Sequence, residues 1–76
     1  MQKIQIVLRS IQDVRKFVNE VTLVDFEVDL EQGRYIVDAK SIMGIFALDT
    51  LSPINLVAHT DSADEFFVRI QEFVLK

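Results

Sequence analysis

Few side chains here could take up a chemical group or pass one on. The nucleophile candidates are Ser10, Ser41, Ser52 and Ser62, and the only histidine is His59. A serine becomes a nucleophile when a general base lies within hydrogen-bond reach and is itself held in place. No such base accompanies any of the four in sequence. Ser10, Ser41 and Ser62 instead stand where helix N-caps are expected. His59 could act as a base or a ligand only with a partner, and its neighbours name none, so the plain reading is an exposed strand residue. With no cysteine, neither a thiolate metal site nor a disulfide can form. Gly33 and Gly44 are the only glycines, too few and too far apart for a phosphate-cradling loop. The inventory gives catalysis no foothold, and we expect a non-enzyme without metal or cofactor.

A chain of 76 residues is expected to form a single domain over 1–76. Half of its residues are apolar, and at this size most must serve one core. Eight basic against twelve acidic residues give a net charge of −4, which repels phosphate backbones on average. Nucleic-acid binding is therefore not expected, although net charge would hide a local cluster of Arg9, Arg15 and Lys16. No apolar run approaches the roughly 18 residues of a membrane span, and the N-terminus is not that of a signal peptide. A cytoplasmic protein without membrane insertion is the expectation.

Sequence periodicity supplies the elements that would hold these residues. In "KIQIVL", residues 3–8, Ile4, Ile6 and Leu8 alternate as in a strand. "SIQD" follows with the pattern of a capping box, Ser10 as N-cap and Asp13 three residues on. Ile11, Val14, Phe17, Val18 and Val21 then mark the inward stripe of a helix from about Ser10 to Glu20. Residues 24–31, "VDFEVDLE", alternate without a break, placing Val24, Phe26, Val28 and Leu30 inward and four carboxylates outward. That acidic row reads as a solvated face rather than a cation site, because same-face neighbours on a strand stand too far apart.

"EQGR" predicts a turn with positive φ at Gly33, and "RYIVDA" returns as a third strand. Pro53 ends the segment that follows, and Ile54, Leu56 and Ala58 form the inner face of a fourth strand. Asn55, Val57 and His59 then face out. "SADE" predicts Ser62 as the N-cap of a last helix, with Glu65 completing the box. Ala63, Phe66, Phe67, Ile70, Phe73 and Val74 would be its stripe. The order is βαββαβα, an α+β class with helices on one face of an antiparallel sheet.

Between the third and fourth strands lies "KSIMGIFAL". Ser41 caps a helix of about two turns carrying Ile42, Met43, Ile45, Phe46 and Leu48. So short a helix cannot turn all five apolar side chains inward. The segment, with "EVDLEQGRYIVDAKSIMG" around it and the "SADE" start of the last helix, resembles HPr, the histidine phosphocarrier of the bacterial phosphoenolpyruvate:sugar phosphotransferase system. The resemblance implies an open-faced β-sandwich, with a four-stranded antiparallel sheet and three helices on one face.

HPr carries phosphate on a histidine in a "GLHARP"-like motif opening its first helix. Here the region reads "LRSIQDVRKF", about three residues shorter before the helix. Counting back from "KSIMG" places Ser10 where the histidine belongs, Gln12 where its arginine belongs and Asp13 where its proline belongs. A serine phosphoester lacks the labile P–N bond that drives onward transfer, and Asp13 would repel an incoming phosphate. The resemblance therefore implies an HPr-like chain that does not carry phosphate from Enzyme I to Enzyme IIA. It also implies a protein-binding surface at Ile42, Met43 and Phe46, which read alone could equally be core, and regulatory phosphorylation of Ser41. The partners implied are phosphotransferase-system proteins, HPr kinase/phosphorylase or a transcriptional regulator. The competing reading is a working carrier with Ser10 or His59 as an unconventional acceptor.

Overall fold

In the computed structural model, which describes residues 1–75, the alternating segments form one sheet. Strand β1 is Gln2–Ile6, β2 Val28–Gln32, β3 Tyr35–Asp38 and β4 Ile54–Ala58. Helix α1 is Ile11–Thr22, α2 Ile42–Phe46 and α3 Asp64–Arg69, with a 3-10 turn at Gln71–Phe73. The strands lie in the order β1-β4-β2-β3, and every neighbouring pair is antiparallel. Ile4, Leu56, Leu30 and Val37 stand opposite one another in a row across all four strands. Period-two alternation sends that row to the helical side, where it joins Val14, Phe17, Val21, Ile45, Phe66 and Ile70 in one core. The opposite face carries Lys3, Gln5, Asn55, Asp29 and Glu31 and has no covering layer.

Turn chemistry fixes the β2–β3 register. Gly33 and Arg34 are the two central residues, and Gly33 has φ of +58°, which glycine adopts without a side-chain penalty. At the other side of the sheet, β1 is not left bare. The Val7 N–H donates to the Phe73 carbonyl at 2.9 Å and the Leu75 N–H to the Gln5 carbonyl at 2.8 Å, with a bridge between Ile6 and Val74.

Several local expectations need correction. Strand β2 starts at Val28 rather than Val24, because its partners end there: Val28 faces Ala58 and Asp29 faces Asp38. Val24 and Phe26 pack on the core from the connection instead. Helix α1 continues to Thr22, and Ile11, assigned to its inner stripe, is 62% exposed. Ser62 does not cap α3. The N-cap is Ala63, a fully buried residue with no side-chain cap, and its N–H is satisfied by Gln2 Oε1 at 3.2 Å. The last helix breaks after Arg69, so Phe73 reaches the core from the 3-10 turn. Val57 lies on the open face yet is buried, flanked by Lys3 and Asp29 on the neighbouring strands.

Candidate functional site

Ser10 is in extended backbone (φ −153°, ψ 167°), and its Oγ accepts the Asp13 N–H at 3.1 Å. The reciprocal half of the box lands one residue early: Asp13 Oδ2 accepts the N–H of Arg9, at 3.0 Å, rather than that of Ser10. Ser10 is therefore a helix cap with an acidic neighbour, on an exposed N-terminus. Gln12 is exposed beside it. Ser10→Ala is expected to cost about 1 kcal/mol in urea unfolding, the usual worth of an N-cap hydroxyl.

His59 cannot serve Ser10. Gln2 pairs with Ala58 and Ile6 with Ile54, so Ser10 follows one end of β1 while His59 lies beyond the opposite end. His59 Nε2 lies 2.8 Å from Asp29 Oδ2 on the neighbouring strand, and both side chains are partly exposed. Such a contact orients the imidazole without bringing a reacting group to it. Ser52 donates through Oγ to Asp49 Oδ2 at 2.7 Å in an exposed turn. Among the described residues, these hydroxyls and this imidazole do not converge on one point.

Helix α2 is where exposed apolar surface concentrates. Its Ser41 N-cap accepts the Gly44 N–H at 3.1 Å, which starts the helix at the head of an apolar run. Gly44 lets that helix sit close to the sheet: a Cβ there would come within 3.1 Å of both Ser41 Oγ and Val37 Cβ. Ile45 is fully buried and Leu48 nearly so, and they fix the rotation of the helix. Ile42, Met43 and Phe46 are consequently turned outward, 41%, 81% and 47% exposed. The loop after α2 is tied down on two sides. Gln32 bonds Asp49 through both amide atoms at 2.8 Å, and the Leu8 N–H donates to the Thr50 carbonyl at 3.0 Å. Leu8 precedes the Ser10 cap by two residues, so the α1 start and the α2–β4 loop share one end of the molecule. Exposed Ile11 and Leu51 lie there too; sequence reasoning assigned the first to the core and passed over the second. Only the missing inward partners of these two residues distinguish them, and that is a property of the fold.

Comparison with solved structures decides the relationship. The chain superimposes on a phosphocarrier protein HPr from Bacillus anthracis with a TM-score of 0.72 and 26% identity, covering 97% of this chain and 94% of that one. The chain has an HPr-like fold. A Thermoanaerobacter tengcongensis HPr-C-His gives a TM-score of 0.79 at 23% identity, over 95% of this chain and 89% of that one. Crh, the catabolite repression containing protein of Bacillus subtilis, gives 0.66 at 28% identity, over 93% and 88%, and forms a swapped, intertwined dimer in its crystal. No family model and no curated protein matches the sequence. The fold is thus shared with these proteins at 23–28% sequence identity. Among the described residues, no helix is long and apolar enough to cross a membrane.

Proposed function

We propose that this HPr-like chain is a cytoplasmic protein-binding module of the phosphotransferase system, without enzymatic or phosphocarrier activity of its own. It engages its partner through Ile42, Met43 and Phe46. The observation that carries the reading is the rotation of α2: Ile45 and Leu48 fill the core, and three large apolar side chains are left facing water. Contiguous exposed apolar surface of this kind is characteristic of partner sites. Against a carrier role stands the Ser10 hydroxyl, bound into a helix cap beside Asp13, with His59 at the far end of the sheet.

Ser41 is the regulatory residue of the same surface. Esterification by HPr kinase/phosphorylase would add a charge of about −2 directly before Ile42 and Met43, and so weaken apolar docking. Incubation with that kinase and ATP should place an acid-stable phosphate on Ser41 and none on Ser41→Ala. Two assays test the reading. Immobilised chain should retain at least one purified phosphotransferase-system protein, HPr kinase/phosphorylase or regulator, and retention of none overturns it. Incubation with Enzyme I and labelled phosphoenolpyruvate should leave the chain unlabelled, whereas an acid-labile phosphate would restore the carrier reading.

A further inference from the structure

The two edges of the sheet are treated differently, and the difference points to a second copy of the chain. The β1 edge is covered by residues 73–75, whereas no described strand pairs with the outer edge of β3, whose bonding there is limited to its Asp38 end. That edge is only four residues long, but it carries no lysine or proline, and it exposes Tyr35 (61%) and Ile36 (67%). The hairpin closes at Gln32–Tyr35 around a two-residue turn, and hydrogen-bonded pairs alternate from there. Tyr35 and Val37 therefore direct their main-chain groups to β2, while Ile36 and Asp38 direct theirs to the open side. The Asp38 carbonyl is taken by the Ser41 N–H at 2.9 Å, which leaves its N–H and both groups of Ile36.

We propose that β3 pairs with β3 of a second copy, antiparallel about a two-fold axis at Ile36, to make a continuous eight-stranded sheet. In this register Ile36 faces Ile36, Tyr35 faces Val37, and Arg34 faces Asp38 of the other copy at both ends. The charges of the segment 34–38, turn residue Arg34 and strand end Asp38, match themselves, which few five-residue segments would do by rotation. The two Ile36 groups exchange a pair of hydrogen bonds, and each Asp38 N–H reaches the Arg34 carbonyl opposite. A slip of one residue would turn the outward main-chain groups away from each other and part the charges. The axis stands perpendicular to the sheet, so both helical layers fall on one side. Because α2 packs against Val37, the two exposed α2 faces then flank the axis. The pairing itself stands independently of any role for α2.

One short strand buries less area than a permanent interface needs, so the pair forms reversibly at high concentration. Sedimentation velocity and amide NMR on the full chain, from about 10 μM to about 1 mM, should show a rapidly reversible dimer with shifts confined to residues 34–38. Arg34→Asp and Asp38→Arg each set like charges opposite one another twice, and each should weaken association at least about tenfold. An equimolar mixture of the two restores both pairs and should dimerise like the parent. Ile36→Lys, which keeps every hydrogen bond within the chain, should also abolish the dimer if a charge variant folds poorly. A monomer at the highest concentration overturns the proposal, as does a dimer unaffected by the three substitutions. So does a dimer that persists on dilution, the behaviour expected if β1 were exchanged between copies. Binding of another protein's extended peptide to a chain that stays monomeric overturns it too.

Discussion

Glutamate at both Met43 and Phe46 is expected to weaken capture of the chain's partner by about 10³-fold. Buried apolar anchors at interface centres lose about 2 kcal/mol or more on truncation, and a carboxylate adds the desolvation of a charge. Two such losses sum to about 4 kcal/mol, which is the thousandfold. Stability should hardly move, because Met43 is 81% exposed and exposed positions usually shift folding by about 0.5 kcal/mol or less. Phe46, 47% exposed, accounts for whatever small loss appears. Isothermal titration against the captured partner reads the first quantity and urea unfolding the second. Full affinity in a folded double variant would place the binding surface elsewhere.

Phe17→Ala should have the opposite signature, a large loss of stability. Phe17 is fully buried, and its ring meets that of Phe73 edge-on with centroids 6.2 Å apart. Removing such a ring costs about 3–5 kcal/mol in transfer and cavity terms. At about 0.05–0.15 kcal/mol per residue, a domain of this size has about 4–11 kcal/mol in all. The variant should therefore melt at least about 12 °C lower, measured by circular dichroism. Phe67→Ala, truncating a side chain only partly buried against the same core, should lose visibly less. Equal losses would mean that the core is less tightly packed around Phe17 than its burial implies.

What could be read in advance followed from local rules. The β2–β3 hairpin needed only alternation and one glycine with positive φ, and both helix-capping serines at α1 and α2 sit where a hydroxyl precedes an apolar period. That some apolar residues of the α2 segment must face outward followed from counting, while the resemblance to HPr singled out Ile42, Met43 and Phe46, which are exposed. Errors arose where a residue's fate depended on something distant. Ala63 caps α3 only because Gln2, far away in sequence, supplies the acceptor for its N–H. Val24 and Phe26 alternate as strand residues do, but their neighbours stop pairing before them. Ile11 fits the helical stripe by number and finds no partner above it. His59 gave no sign of its bond to Asp29, a contact made by strand order alone.

The bonds from Phe73 and Leu75 to β1 also bear on how the chain comes together. Strand β1 has no neighbour close in sequence: it pairs with β4, where Gln5 meets Asn55 fifty positions on, and with the tail beyond it. The β2–β3 hairpin can close by itself, since its loop is two residues long. During synthesis β1 thus finds its place only after β4 and the residues beyond it have been made. Folding should be paced by the meeting of β1 with β4 and residues 73–75 rather than by any helix.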